Sequence, residues 1–471
     1  MKRIAFLIAT LYAIALDGAP LDQVAAVENG LLSPVVLKGQ PVAHYTIAER
    51  MKALKVPGVS IAVIDNYGIE WAKGYGYADI ALKRPVDKST LFQAGSISKP
   101  VAAVAAMTLV ENDKLRLDDD INNFLKSWEL PENQFTKENK VTLRRIMSHS
   151  AGLTVHGFPG YPAGEPLPTI PQILDGAKPA NTQAVRVDVV PGTLWRYSGG
   201  GYTIMQLAMS DLTGEDFPGL MKRLVLSKAG MNESTYENPL PTKLSGTAAT
   251  GYHTNGSAVP GRYHTYPEMA AAGLWTTPSD LARFGIEMQM SREGRSNKVL
   301  KRITVEEMLK EQKSPWGFGL GFALSPNWFA HDGADDGFQA LFGFSFDGKG
   351  IVVMTNSDNG GRLAREIELA FAAVYGLPEK PQEREAIRFP ADTLQKFAGE
   401  YTMPVLGRIS LRTVGDHLRL SGDSFGSYEL YPAADVKFFA LEGIPDLTFT
   451  VDEHGSITGF SAGGVEAKRT R

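Results

Sequence analysis

The apolar and polar positions of the chain form two regions: a mixed pattern of helices and strands up to about residue 377, and strand patterns alone beyond it. The most marked element is an Ala-rich apolar run from Val101 to Val110 without Gly or Pro, which predicts a buried helix. The elements predicted in the first region are helices at 45–54, 97–111, 141–147, after 203 and at 363–375, and strands at 59–64, 68–77, 316–322, 342–346 and 351–356. The short turns between paired strands predict two antiparallel hairpins.

The second region has a different composition. Residues 378–390 are polar and charged and carry Pro378 and Pro381, which is typical of a linker. Across residues 391–471 the apolar positions alternate in short runs separated by turns such as Gly415-Asp416. This spacing predicts a small antiparallel β-barrel or sandwich. We find no catalytic constellation within it.

Composition narrows the classes of function. The 471 residues are 43% hydrophobic and 21% charged, enough for one large domain and a smaller one. A net charge of −4 does not indicate the basic surface that binds nucleic acid or an anionic membrane. We therefore predict a small-molecule or peptide substrate as the partner. Cysteine is absent, which excludes disulfides, thiolate zinc sites and cysteine nucleophiles. The eight His are scattered, so we predict no metal site and no cofactor.

The N-terminus has the form of a secretory signal. Lys2 and Arg3 precede an apolar run from Ile4 to Leu16, with Ala13-Ile14-Ala15 as a cleavage site. The run is short for a bilayer span. We therefore predict that residues 1–16 are a signal peptide and that the protein is secreted or periplasmic, with no integral span after signal removal. The alternative is an uncleaved N-terminal anchor.

Ser96 and Lys99 stand three residues apart at the start of the predicted buried helix. A helix places side chains at this spacing on one face. A serine hydroxyl is a weak nucleophile until a base accepts its proton, and a lysine in a dry site can lose its own proton and act as that base. The helix N-terminus adds N–H groups where an oxyanion would form. Alone, such a match is more typical of a capping serine and a solvated lysine.

Two later stretches carry candidate chemistry. Tyr197-Ser198-Gly199-Gly200-Gly201 combines a phenol with glycines that let the backbone pass close to another group; the alternative is a packed aromatic at a turn. His331-Asp332-Gly333-Ala334 opens the other stretch, where the alternative is a solvated or packed histidine. We expect His149 to be a packed turn residue rather than a catalytic one. The Pro- and Gly-rich residues 157–171 predict a loop beside a pocket.

In this order, Ser96-x-x-Lys99, Tyr197-Ser198-Gly199 and His331-Asp332-Gly333 resemble the motifs of the penicillin-recognising serine hydrolases. The chain is similar to their branch of class C β-lactamases, D-Ala-D-Ala carboxypeptidases, D-amino-acid peptidases and esterases. The resemblance implies an α+β fold for residues 17–377, with a five-stranded antiparallel sheet flanked by helices and an all-helical subdomain. The site would lie in the cleft between them. Residues 391–471 resemble a lipocalin-like barrel.

The resemblance also implies roles. Ser96 would be the acylated nucleophile, Lys99 and Tyr197 the proton-transfer pair, and His331 would replace the lysine usual at that position. The N–H groups of Ser96 and Ala334 would form the oxyanion hole, with Gly333 and Gly199 beside the substrate. We therefore expect a serine hydrolase that forms an acyl-enzyme on Ser96. Its substrate would be an amide or ester: a D-amino-acid peptide, peptidoglycan-derived peptides included, a carboxylic ester or a β-lactam.

Two positions depart from the family pattern. Gly199 replaces an asparagine that binds the substrate's acyl amide, and Asp332 replaces a small hydroxyl residue, so a substrate carboxylate would be disfavoured unless His331 is charged. If that charge aids binding, activity should weaken as pH rises through about 6 to 7. The departures motivate an alternative, a catalytically silent cell-wall or peptide-binding protein. The sequence leaves open the natural substrate, whether Lys99 or Tyr197 is the base, the oligomeric state and the role of the C-terminal domain.

Overall fold

The structure is a computed structural model that describes residues 21–313, 317–404, 406–422 and 425–470. The predicted signal peptide, residues 1–16, lies outside the described residues. Within the described ranges, no helix combines the length and apolar character needed to cross a bilayer.

The helices predicted in the first region are found in the predicted order, and one further helix precedes the barrel in the second region, where only strands were predicted. The helices of the described residues are α1 (Leu21–Glu28), α2 (Ile47–Leu54), α3 (Ser98–Glu111), α4 (Leu143–Met147), α5 (Ile170–Asp175), α6 (Gly199–Thr213), α7 (Phe217–Met221), α8 (Ser227–Ala229), α9 (Thr242–Ser245), α10 (Met269–Ala272), α11 (Pro278–Arg292), α12 (Arg302–Met308), α13 (Gly360–Val374) and α14 (Ala391–Phe397). Short 3₁₀ turns occur at Gly95–Ile97 and Ile121–Phe124, and a π turn at Lys222–Leu226.

The described part of the first region has ten strands, of which seven form one main antiparallel sheet in the order β4-β3-β2-β10-β9-β8-β7, while β5 pairs with β6 and β1 pairs outside this sheet. The ten strands are β1 (Val35–Leu37), β2 (Gly58–Asp65), β3 (Gly68–Asp79), β4 (Arg84–Pro85), β5 (Phe92–Gln93), β6 (Trp275–Thr276), β7 (Ala323–Ser325), β8 (Trp328–Asp335), β9 (Phe338–Ser345) and β10 (Gly350–Thr355). The predicted antiparallel sheet and its two hairpins are confirmed. It has seven strands because the short β4 and β7 extend the expected five at the edges.

The main sheet is buried on both faces. Ile61 and Val63 point to the face covered by α1, α2 and α13, whereas Ala62 and Ile64 point to the core shared with α11. Successive side chains of a strand alternate between faces, so the continuous apolar run of β2 places apolar groups in both cores. The helical part of the domain, from α3 to α10, lies between β5 and β6 in the chain.

The predicted helix at 97–111 is confirmed as α3, which runs from Ser98 to Glu111 after a 3₁₀ turn at Gly95–Ile97. All of its residues from Ser98 to Leu109 are buried, including Lys99. The alanines of α3 have small side chains that let other helices approach closely, and α6 and α10 pack against it. The helix therefore fixes Ser96 and Lys99 on a rigid element.

Two predictions about glycines were wrong. Helix α6 begins at Gly199 rather than after residue 203, because the Ser198 hydroxyl caps it by accepting the Gly201 N–H at 3.1 Å. The strand predicted at 316–322 includes Trp316, which lies outside the described residues, and residues 317–322 form an irregular loop before β7. Gly317 and Gly321 have φ of +62° and +92°, a left-handed conformation that a strand does not contain.

The predicted small antiparallel β-barrel is confirmed. Its strands close in chain order and are β12 (Gly399–Met403), β13 (Gly407–Val414), β14 (His417–Gly422), β15 (Phe425–Ala434), β16 (Lys437–Ala440), β17 (Leu447–Val451), β18 (Ile457–Ala462) and β19 (Val465–Arg469). The segment predicted as a linker contains β11 (Gln382–Arg384), which pairs in parallel with β1. The barrel also contacts α13, where Arg362 bonds Glu442 at 2.8 Å.

Candidate active site

The structure brings Ser96 and Lys99 together. Ser96 lies in the 3₁₀ turn and Lys99 in the first turn of α3, and the Lys99 Nζ donates a hydrogen bond to the Ser96 Oγ at 2.8 Å. A second bond from Nζ to the carbonyl of Ala271 in α10, also 2.8 Å, fixes the amine. The hydroxyl of a half-buried serine is thus held against a lysine that is 2% exposed.

Burial determines the charge of Lys99. It lowers the pKa of the amine to about 7, against the opposing effect of the Asp335 and Asp332 carboxylates. The Nζ also lies 4.9 Å from the ring centroid of Tyr197 and 5.8 Å from that of Tyr202. Near neutral pH a large fraction of Lys99 is therefore an unprotonated amine with a lone pair available to the serine.

Tyr197 lies directly before Ser198, the capping residue of α6, and its side chain reaches Ser96. Its side chain interacts with Ser96; burial raises the pKa of the phenol, and this contact opposes the rise. The ring stacks on His149, with centroids 4.1 Å apart and planes at 29°. His149 is buried and accepts the Ser198 N–H through Nδ1 at 3.2 Å, so it is the packed residue expected from the sequence.

His331 lies on β8, facing this group. Its Nδ1 donates to the Asp332 carbonyl at 2.5 Å, and its Nε2 has no hydrogen-bond partner among the described residues. Burial lowers the pKa of His331 to about 4, and Lys99 adds to this while Asp332 opposes it. His331 is therefore neutral between pH 6 and 7, and the pH dependence expected from a charged His331 is not supported.

Strand β8 approaches the serine turn closely. A Cβ on Gly333 would lie 3.0 Å from the Ser96 nitrogen, and a Cβ on Gly95 would lie 2.4 Å from the Ala334 nitrogen. Asp335 and Phe338 flank the turn between β8 and β9 and pair with each other. In a two-residue hairpin, the two residues that flank the turn exchange backbone hydrogen bonds with each other. The N–H and C=O groups of the next residue along each strand point away from the partner strand. The Ala334 N–H is thus directed away from β9, toward the serine turn.

Ser96 and Tyr197 line an open cleft. The larger part, of about 560 Å³, is lined by Ser96, His156, Trp195, Arg196, Tyr197, Asp332, Gly333, Ala334 and Gln339. A neighbouring part of about 490 Å³ shares Trp195, Tyr197 and Asp332 and extends past Phe318. The lining residues of the larger part all fall between positions 96 and 339, so none of them comes from the barrel. Asp332 is the exposed acid of the cleft, with 92% of its side chain accessible.

Gly199 does not offer a side chain to this cleft, and its surroundings leave little room for one. A Cβ there would lie 3.0 Å from Phe158 Cε2 and 3.1 Å from the His156 carbonyl oxygen. The Gly199 N–H donates to that same carbonyl at 2.9 Å. The loop at 156–158 therefore covers the position that an asparagine amide would occupy in the related motif.

Two buried acids were not predicted from the sequence: Asp335, whose carboxylate interacts with Lys99, and Glu268, which interacts with Asp335. Glu268, fully buried before α10, and Asp335, buried at the end of β8, have carboxylate oxygens without hydrogen-bond partners among the described residues. Burial raises the pKa of Glu268 to about 7. Strand alternation was the available signal for Asp335, because it shares a face with His331 and Gly333. No local pattern indicated Glu268.

Comparison with known proteins identifies the family of the chain. A model of the Beta-lactamase family matches residues 45–375, and the chain belongs to this family. It is thus a member of the serine hydrolase superfamily whose members act on amide or ester bonds.

Particular relatives can also be named. The chain is 26% identical to PbpX of Bacillus subtilis (strain 168), which is named as a penicillin-binding protein, over 339 residues covering 70% of this chain and 76% of PbpX. A second penicillin-binding protein of that bacterium is 22% identical over 427 residues, covering 84% and 90%. The structure of an octameric penicillin-binding protein homologue from Pyrococcus abyssi superposes with a TM-score of 0.62 at 24% identity, covering 89% and 98%. That last likeness concerns the fold alone.

Proposed function

We propose that the protein is a serine hydrolase that forms an acyl-enzyme on Ser96 and cleaves an ester or amide. The observation that carries the proposal is the 2.8 Å contact between the Ser96 hydroxyl and the buried amine of Lys99 at the edge of an open cleft. A serine hydroxyl held by a capping interaction would not require a buried lysine, since burying an ammonium is costly.

In the first half of the reaction, the neutral Lys99 amine accepts the Ser96 proton while Oγ attacks the substrate carbonyl carbon. The developing oxyanion is held by the N–H groups of Ser96 and Ala334, which lie beside each other where β8 meets the serine turn. The proton passes from Lys99 to the leaving group, with the Tyr197 hydroxyl as relay, and the bond to the leaving group breaks.

In the second half, water replaces the leaving group. It gives a proton to Lys99 by the same route and attacks the ester carbon of the acyl-enzyme, after which Ser96 Oγ leaves and regains the proton. The direction of the two pKa shifts favours Lys99 over Tyr197 as the base, because burial lowers the pKa of the amine and raises that of the phenol.

The charges of the cleft favour substrates without a free carboxylate near the reacting bond. Asp332 is exposed beside Ala334, and the neutral His331 does not offset its charge. Arg196 also lines the cleft, but its guanidinium already bonds Asp188 and the Gly152 carbonyl. We therefore rank neutral carboxylic esters and uncharged amides above β-lactams and C-terminal D-amino-acid peptides, which carry such a carboxylate.

The test is covalent labelling with matched variants. The protein and its Ser96→Ala variant are incubated with a chromogenic acetate ester, a fluorescent penicillin and a D-Ala-D-Ala peptide, and the intact mass is recorded with turnover. Ser89→Ala serves as control, because among the described residues the Ser89 hydroxyl bonds to Asp87, which does not line the cleft. Ester turnover or a mass adduct that needs Ser96 supports the proposal. Silence of the wild type with all three substrates would favour the peptide-binding alternative.

We also propose that the protein acts outside the cytoplasm, secreted or periplasmic, with residues 17–377 as the hydrolase domain and the barrel as a lipocalin-like module. The support is the signal-like pattern of residues 1–16. Fractionation of the native host followed by N-terminal sequencing tests this. A mature chain that starts near residue 17 in the secreted or periplasmic fraction agrees with the proposal, whereas protein retained in the cytoplasm with Met1 intact would contradict it.

A further inference from the structure

Three polar side chains converge at the tip of the β8–β9 hairpin, outside the cleft. His253 Nδ1 lies 3.4 Å from Asp358 Oδ2 and 3.6 Å from Asp336 Oδ1, and the three atoms lie within 4.8 Å of one another. His253 is in the loop after α9, Asp336 is in the hairpin turn, and Asp358 follows β10. All three are partly exposed, so an ion could enter from solvent.

The hydrogen bond between His253 Nδ1 and Asp358 Oδ2, at 3.4 Å, is longer than those of another histidine in the same structure. On the barrel, His417 lies 3.1 Å from Asp416 and 2.9 Å from Glu429, with one nitrogen for each carboxylate. These are hydrogen-bond lengths. At His253 a single nitrogen faces two carboxylates at longer separations. A tetrahedral ion with bonds of about 2.0–2.1 Å holds its ligand atoms about 3.3–3.4 Å apart, near the observed values.

The other atoms of these carboxylates already have partners that orient them. The Gly337 N–H donates to Asp358 Oδ1 at 2.8 Å, and Asp336 Oδ2 lies 3.3 Å from His264 Nε2. His264 is itself fixed, because its Nδ1 lies 2.9 Å from the Pro159 carbonyl, which can only accept. Such outer partners are what hold metal ligands in place. They leave Asp336 Oδ1 and Asp358 Oδ2 directed at His253.

We propose that His253, Asp336 and Asp358 bind a divalent transition-metal ion of the Zn²⁺ type, with solvent completing the coordination. An imidazole nitrogen with two carboxylates suits Zn²⁺ better than Ca²⁺ or Mg²⁺, which take oxygen ligands. The proposal departs from the sequence analysis, which predicted no metal site. Its ligands are separated by 83 and 22 positions (336 − 253 and 358 − 336), so no short motif indicates them.

The ion would tie three segments together next to the active site. Asp336 is two residues beyond Ala334, whose N–H faces the serine turn. An ion there would hold the hairpin tip to the exit of β10 and to the loop around His253. Its main effect would be on the stability of the hairpin rather than on a chemical step.

The test uses the full chain, stripped with a chelator, dialysed and titrated with ZnCl₂. We expect one Zn²⁺ per chain by calorimetry and elemental analysis, and a rise in Tm of about 5 °C at a hundredfold excess over Kd. His253→Gln should abolish both, whereas the control His417→Gln should keep both. CaCl₂ in place of ZnCl₂ should give no shift.

The site would be overturned if the wild type bound no Zn²⁺, if His253→Gln and His417→Gln bound equal amounts of Zn²⁺, or if Ca²⁺ but not Zn²⁺ raised the Tm. If circular dichroism shows that His253→Gln does not fold, Asp358→Asn replaces it, because an asparagine oxygen still accepts the Gly337 N–H. None of these readouts depends on hydrolase activity, so the outcome is independent of the function proposed for Ser96.

Discussion

The rate of acylation should rise with pH through about 7, because Lys99 must be neutral to accept the Ser96 proton. A solvated lysine has a pKa of 10.5, and burial lowers that of Lys99 to about 7. The difference of about 3.5 units corresponds to roughly 5 kcal/mol. At pH 7 about half of the buried amine is neutral, against roughly one molecule in 3,000 for a solvated lysine. Burial thus raises the fraction of competent base on the order of a thousandfold.

The assay is the second-order rate of acylation by a neutral ester, measured from pH 5 to 9 at constant ionic strength. A neutral ester removes the influence of the Asp332 charge on binding. Below pH 7 the rate should fall about tenfold per unit, to about 1% of its plateau at pH 5. Lys99→Arg should lose the activity at every pH, because a guanidinium does not deprotonate in proteins. His331→Gln should keep the shape of the profile, since His331 is already neutral.

Three outcomes would refute the reasoning. A flat profile between pH 5 and 8 would mean that the proton of Ser96 does not go to Lys99. A rate that falls as pH rises through 6 to 7 would have the opposite sign and would restore the charged role first expected for His331. A rate that still rises about tenfold per pH unit between pH 8 and 9 would mean that the pKa of the amine is not lowered and that Lys99 is solvated.

Three further predictions concern the same site. Asp332→Asn should speed labelling by a fluorescent penicillin about 3- to 10-fold and leave neutral ester hydrolysis within twofold, since unit charges about 6 Å apart in a cleft interact by roughly 0.7–1.4 kcal/mol; equal effects on both substrates would contradict this. Lys99→Met should be more stable than the wild type. In urea unfolding its advantage should shrink by about 3 kcal/mol from pH 7 to 9.5, because the unfolded wild type binds a proton there that the folded one does not. Gly95→Ala should lower ester turnover at least tenfold, because its φ is +52° and a Cβ would lie 2.4 Å from the Ala334 nitrogen; unchanged turnover would mean that β8 can move away.

The sequence predicts the elements whose patterns are local. The apolar run of α3, the hairpins on both sides of it and the alternation in the barrel are each encoded over ten to twenty positions, which is the range where periodicity is informative. The two errors fall on glycines. Glycine is compatible with a helix start, as at Gly199, and with a left-handed loop, as at Gly321, and its neighbours in the chain do not decide between them.

The candidate site is predictable to a different extent for each residue. Ser96 and Lys99 are near in sequence, so helix geometry alone brings them together. The approach of Tyr197 and His331 depends on packing between α3, α6 and β8, and it was predicted only from the family resemblance. Glu268 and the covering of Gly199 by Phe158 depend on contacts between distant segments. The same holds for the proposed metal ligands, which meet only in three dimensions.

The positions where the chain departs from its family decide between a changed substrate and a lost activity. Gly199, His331 and Asp332 all lie where substrate would be held: the first is covered by the 156–158 loop, the second is neutral, and the third carries an exposed charge. The groups that would move protons, Ser96 and Lys99, keep a direct contact and a buried environment. Burying an amine costs stability, and a protein that only binds peptides gains nothing from that cost. These observations are the basis of our proposal that the protein is a hydrolase whose substrate lacks the carboxylate of a penicillin.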